Sequence, residues 1–143
     1  MRFSVRLFTV ALLIFVGFNV GAQTTAEMAF ESVDHDFGKI KEDAGPANFN
    51  FNFKNTGKIP LVISTVNASC GCTTPEWSKD PVLPGKSGFI KVSYNPLNRP
   101  GSFNKTVTIV ANIANGSQVL KISGEVLPKT LTIAEQYRSI LER

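Results

Sequence analysis

The chain of 143 residues has little of what metal proteins and most enzymes are built from: one histidine, two cysteines and one tryptophan. His35, Cys70 and Cys72 amount to three ligands at most, one short of a closed zinc site. No G-x-S-x-G nucleophile elbow occurs, and the acids are spread along the chain without forming a pair that glycoside chemistry could use. No apolar run reaches the roughly 20 residues that a membrane-spanning helix needs. The longest, Leu7 to Phe18, has 12. A strong excess of one charge is also missing. Lysines stand singly, as at Lys39, Lys41, Lys54, Lys58 and Lys79, without the basic runs or arginine–aromatic alternation of a nucleic-acid surface. These absences argue against an enzyme, a resident metal or cofactor, and a nucleic-acid partner.

What the N-terminus does contain is Arg2 and Arg6 ahead of the apolar run, then Val20-Gly21-Ala22 with small or aliphatic side chains where a signal peptidase reads. Residues 1–22 are therefore expected to be a helical signal peptide, cut after Ala22. The product would be an exported protein, periplasmic or extracellular, with no membrane span once the signal is cleaved. No cysteine lies near the cut to carry a lipid anchor. Removing 22 from 143 leaves 121 residues, enough for one domain with a real core. It also removes two of the 15 basic residues, leaving 13 against 11 acids, so the pI near 9.2 overstates the working charge.

From Met28 to Val126 short β-branched and aromatic runs alternate with turn clusters, the mark of an all-β fold. In "ANFNFNFKNTG", Phe49, Phe51 and Phe53 alternate with Asn48, Asn50 and Asn52, so a pleat of period two buries the rings. Asn55-Thr56-Gly57 closes that strand, with Gly57 free to take a positive φ. "PLVISTVNAS" leads into the cysteines, "DPVLPGKSG" reads as a connection, and "FIKVSY" as a further strand. "FNKTVTIVAN" sets Val107, Ile109 and Ala111 on one face. Asn115-Gly116 makes a hairpin turn, and "QVLKISGEV" sets Leu120, Ile122 and Val126 on one face. The spacing predicts an immunoglobulin-like β-sandwich of about seven strands over residues 23–127. Residues 128–143 form a separate tail. Ile133, Tyr137, Ile140 and Leu141 recur at helical spacing, predicting an amphipathic helix that must dock on something to be stable.

The succession "HDFGKI", "FNFKNTGKIPLVI", "SCGCTTPEW", "LPGKSGFIKVSYNP" and "RPGSFNKTVTI" resembles the bacterial domain-of-unknown-function 1573 (DUF1573) family from about Phe30 to Val126. The resemblance implies an exported immunoglobulin-like sandwich, related in architecture to chaperone-like and major-sperm-protein-type domains. It implies no settled activity. The tail lies outside it.

Cys70-Gly71-Cys72 is where chemistry is most expected. In an extended strand residues i and i+2 lie about 6.6 Å apart at Cα, at the long edge of the roughly 4.4 to 6.8 Å that a disulfide accepts. A bridge needs a bend, which Gly71 makes cheap. Closing about three residues yields only about 1.5 kcal/mol in the chain-entropy model, so a staple is a poor reason for this spacing. Three readings stay open: a quiet buried pair at a strand end, which is preferred; a labile redox pair; and two soft thiolates for Cu(I). Trp77 is expected to anchor the packing beside this loop. His35 invites a catalytic reading between Asp34 and Asp36. In a strand, though, neighbours point to opposite faces, so a surface or strand-edge histidine is expected. The function expected is a non-enzymatic protein-interaction or assembly module that binds another envelope protein through strand edges or the tail helix. The alternative is a thiol–disulfide or Cu(I)-binding role carried by Cys70 and Cys72.

Overall fold

The computed structural model describes residues 25–142, so the expected signal segment 1–22 lies outside the described residues. Alternation decides the assembly. In strand β3 (Ala47–Asn55) Phe51 and Phe53 are each 1% exposed, Phe49 is half-buried, and the asparagines between them face solvent. β3 pairs antiparallel with β1 (Met28–Phe30) on one side and β6 (Ser87–Tyr94) on the other, and β5 (Thr73–Trp77) continues the sheet beyond β6. The second sheet runs β2 (Asp34–Lys41), β8 (Ser117–Leu127), β7 (Gly101–Ala111), β4 (Ile63–Ala68), with β2 parallel to β8. The β7–β8 hairpin brings the buried row Val107, Ile109, Ala111 beside Leu120, Ile122 and Val126. These rows face Phe51, Phe53, Ile90 and Val92 of the other sheet, and the interleaved side chains form one core. Each large apolar side chain removed from water there contributes about 1.5–3 kcal/mol.

The result is the expected β-sandwich, with eight strands rather than about seven. The short β1 and the proline-bearing β5 are the strands that alternation shows least well. "DPVLPGKSG" is not purely a connection. Val82 is buried and forms an isolated bridge with Leu61, and Ser87 and Gly88 already belong to β6. Gly57 does not take a positive φ. It is required for a different reason, since a Cβ there would lie 2.6 Å from the Glu27 backbone nitrogen. The strand end itself is held by Asn55, fully buried on the inward row of β3. Its Nδ2 donates to the carbonyls of Ile59 and Val82, both at 2.8 Å, and its Oδ1 accepts from the Gly57 amide at 3.0 Å.

All four outer strands are poor templates for adding a strand. β1 has three residues, and β2 is bulged between Asp36 and Lys39, where Gly38 takes φ +64°. β4 shifts register between Ile63 and Thr65, and Pro75 sits mid-way along β5. Short, bulged and proline-bearing edges are the usual defences against edge-to-edge pairing.

The tail forms α1 (Ile133–Leu141), yet none of its residues is buried and it does not pack on the sandwich. Its stability comes from its own N-terminus. Thr132 Oγ1 accepts from the Glu135 amide, and Glu135 Oε2 accepts from the Thr132 amide at 2.9 Å, a complete capping box. Lys129 Nζ lies 3.2 Å from Glu135 Oε1. The backbone and side-chain hydrogen bonds from Thr132, then Lys129, hold the Glu135 carboxyl down at about 2, from an ordinary 4.5. A depressed carboxyl stabilises its structure above the ordinary value, and that stabilisation is lost as pH falls toward the depressed one. The helical carbon chemical shifts of residues 133–141 are therefore expected to hold from pH 7 to about 5. They should collapse between about 4.5 and 2, and the titration should vanish in Glu135→Gln. Flat shifts across that window, or the same titration in Glu135→Gln, contradict the assignment. One carboxylate ties the tail back to the sandwich: Glu42 Oε1 accepts from the Asn98 amide at 2.9 Å and Oε2 from the Lys129 amide at 3.0 Å.

Candidate functional site

β4 ends in one sheet and β5 begins in the other, so the chain crosses the edge of the sandwich between Ala68 and Thr73. Both banks of the crossing are fixed by hydrogen bonds. The Ser69 amide donates to Thr106 O at 2.9 Å, and the Thr106 amide donates back to Ser69 Oγ at 3.1 Å. On the far bank the Asn95 amide donates to Cys72 O at 2.9 Å, and the Thr73 amide closes the turn on Cys70 O at 3.3 Å. This bend brings the Cα atoms of Cys70 and Cys72 to 5.3 Å, well inside disulfide range, and the two sulfurs are bonded. Gly71 is not in the left-handed region, and a Cβ on it would meet nothing within 4 Å, so the bend makes no demand that only glycine meets.

The bridge is the wall of an open cleft of about 400 Å³ whose other walls include Tyr94, Arg99, Phe103 and Lys105. Cys72 is 6% exposed and Cys70 is half-buried. Thr73 Oγ1 lies 3.5 Å from Cys70 Sγ and 3.8 Å from Cys72 Sγ, so one hydroxyl reaches both sulfurs. Tyr94 stacks on Phe103 with centroids 3.9 Å apart. Burial pushes the Tyr94 hydroxyl pKa up, while nearby Arg99 draws it down by less. No carboxylate lines the cleft.

Lys105 is the unexpected residue. Phe103, Lys105, Val107, Ile109 and Ala111 occupy alternate positions of β7, and four of the five are buried hydrophobics. A lysine thus stands on the core-facing row at the mouth of the sandwich, half-buried and with no carboxylate partner among the described residues. The period-two signal in "FNKTVTIVAN" extends backwards through Lys105 to Phe103 and could have found it.

The other singled-out residues lie elsewhere. His35 lies on the outer strand β2, a strand-edge position, but its ring is not on the open surface. It is half-buried between the sheets, stacked on Phe49 at 3.5 Å and edge-on to Phe37 at 4.6 Å. Burial lowers its pKa, with Asp36 opposing. Asp34 and Asp36 do face outward, as strand parity requires, and Asp36 Oδ1 accepts from the Gly38 amide at 2.9 Å. Trp77 packs against the core, but four residues of extended β5 carry it about 13 Å from Thr73, away from the bridge rather than beside it. Lys79 Nζ lies over its ring. Among the described residues no three His, Cys, Asp or Glu side chains converge on a metal-sized site. While Cys70 and Cys72 are bonded to each other, neither offers the free thiolate that Cu(I) would need.

The family model described as "Protein of unknown function (DUF1573)" matches residues 28–126. No curated protein matches. A crystal structure of a protein of unknown function from Porphyromonas gingivalis W83 superposes with a TM-score of 0.63 at 19% identity, over 75% of this chain and 50% of that one. The secreted serine protease VesC from Vibrio cholerae gives 0.52 at 13% identity, over 82% of this chain and 26% of that one. A family 123 glycoside hydrolase from Clostridium perfringens gives 0.54 at 13%, over 78% and 29%. The chain thus spans half or less of these proteins, and the likeness is one of fold.

Proposed function

The chain belongs to the DUF1573 family of proteins of unknown function, and from that premise we propose that it is an exported interaction module whose tail helix seats in an apolar groove of another envelope protein. The observation that carries this is the state of α1. Ile133, Tyr137, Ile140 and Leu141 form its apolar stripe and are 78%, 69% and 80% exposed at the three aliphatic positions and 68% at Tyr137. A helix of nine residues held only by its capping box is marginal in water, and amphipathic helices are read by grooves through i, i+4 and i+7 anchors. Strand addition, the other route to a partner, is disfavoured by the short, bulged and proline-bearing edges. Export is supported by the charged, apolar and small-residue order of residues 1–22, and no helix among the described residues is long and apolar enough to cross a membrane.

A photo-crosslinker placed at Tyr137 in the exported chain tests this. A discrete adduct is expected, which Ile133→Asp combined with Ile140→Asp weakens at least about tenfold, in line with loss of two buried anchors. The same crosslinker at Lys58, on the sandwich, should give none. Equal adducts from both positions, or a Tyr137 adduct indifferent to the two aspartates, would overturn the reading.

A further inference from the structure

We propose that the Cys70–Cys72 bridge is a reactive disulfide that oxidises pairs of cysteine thiols in exported proteins, preferring cysteines flanked by acidic side chains. Three observations on different levels lead there.

The first is mechanical redundancy. Closing so small a ring constrains the unfolded chain weakly. The corner it spans is already fixed on both banks by the Ser69–Thr106 pair and by the hydrogen bonds at Cys70 O and Cys72 O. Breaking the bridge removes none of these. A disulfide whose reduction leaves the fold standing is free to cycle.

The second is access. Both cysteines line an open cleft, unlike a staple sealed in a core, and they are not equivalent. Cys70, the more exposed, is the sulfur an incoming thiolate meets, and Cys72 is the buried leaving group. Thr73 Oγ1 stands within hydrogen-bonding reach of either as charge develops on it.

The third is charge. Thiolates are favoured beside cations, and a cation on the core-facing row of a strand needs a reason to be there. Lys105 holds that position with no carboxylate to neutralise it among the described residues, Arg99 lines the same cleft, and no acid lines the walls. An unopposed pair of cations selects an acidic partner and raises its encounter rate.

The chemistry balances without any further group. A substrate thiol loses its proton to solvent and its thiolate attacks Cys70 Sγ. A new S–S bond forms to the substrate, the Cys70–Cys72 bond breaks, and its electron pair leaves on Cys72 Sγ, which takes up a proton. A second substrate thiolate then attacks the substrate sulfur of the mixed disulfide and releases Cys70, which is also protonated. The substrate dithiol is oxidised by two electrons and the Cys70–Cys72 pair is reduced by two. A disulfide of higher potential returns the pair to the oxidised form. Lys105 is a positioning residue in this scheme, stabilising the thiolate without bonding to it.

The full exported chain, isolated with its bridge formed, is exposed at pH 7 to graded mixtures of reduced and oxidised glutathione, and free thiols are counted by alkylation and mass. The bridge is expected to open within the range of glutathione mixtures that reduce catalytic disulfides, with the fold retained. The double variant Cys70→Ser with Cys72→Ser should keep the wild-type melting temperature within a few degrees. Peptide dithiols with acidic flanks should reduce the bridge about tenfold faster than basic ones at low salt, and Lys105→Gln should remove most of that difference while Lys105→Arg restores it. In the reduced chain, the pH dependence of alkylation should place the more reactive thiol below the ordinary value of about 8.5, and Lys105→Gln should raise it. A bridge that stays closed in excess glutathione until the protein unfolds overturns the proposal. So does a thiol that titrates at the ordinary value in both wild type and Lys105→Gln. Equal rates for acidic and basic peptides overturn the stated preference.

Discussion

Asn55→Asp, a change of one atom, is expected to cost the sandwich about 3–5 kcal/mol at neutral pH, the range for leaving a buried charge without a partner. Asn55 is fully buried. Its amide nitrogen donates both hydrogens, to Ile59 O and Val82 O, and its oxygen accepts from the Gly57 amide. Aspartate keeps the acceptor and loses both donors, and then points a negative oxygen at two carbonyls. Neutralising it by protonation removes the charge and restores one donor, so the deficit should shrink in acid. Asn55→Ala avoids the charge but orphans two carbonyls and one amide at about 1–3 kcal/mol each before relaxation. Urea midpoints of the three proteins at pH 7 and pH 5 check this, and a deficit below about 1 kcal/mol for Asn55→Asp at pH 7 contradicts it. The reason for the size of the effect is position. This one side chain closes the Asn55–Gly57 turn and pins the Val82 bridge to Leu61, a loop 27 residues away in sequence.

Phe53→Ala is the second large effect, at about 3–5 kcal/mol for emptying a buried phenyl site. The ring is 1% exposed, tilts against Phe30 at 5.4 Å and fills the space above Gly88. A Cβ on Gly88 would fall 2.5 Å from the ring's Cζ. Gly88→Ala alone is therefore expected to cost about 1–3 kcal/mol by overpacking. The two changes should not add. Once the ring is gone the new methyl enters the void, so the double variant should be more stable than the sum by more than the roughly 0.3–0.5 kcal/mol scatter of independent sites. Additivity within that scatter would mean that the ring and the glycine are not the coupled pair the packing describes.

The fold was legible in the sequence wherever a period of two ran long enough to be counted, in β3 and through β7 and β8. β5 escaped because its alternation is short and interrupted by Pro75, which an edge strand tolerates and a sequence pattern reads as a break. The site was legible only in part. The Cys70–Cys72 pair is plain from its spacing, and its bend was expected, but Lys105 contributes only through which face of β7 it occupies and what stands opposite. That depends on β4 and β6 arriving from far along the chain. Trp77 shows the converse. Five residues of sequence suggested nearness to Cys72, and an extended backbone turned them into distance. The tail was predicted as a helix from its stripe, but the stripe does not say which surface it meets, and none of its residues is buried on the sandwich.

The Glu42 carboxylate gives the module a mechanical character. One of its oxygens is held by the amide of Asn98, next to Arg99, and the other by the amide of Lys129, where the tail departs. A load on the tail passes into the β8 backbone, and the Glu42 carboxylate couples part of it to the loop bearing the cleft's exposed cation. Tension on the tail and the placement of that cation therefore meet at one carboxylate.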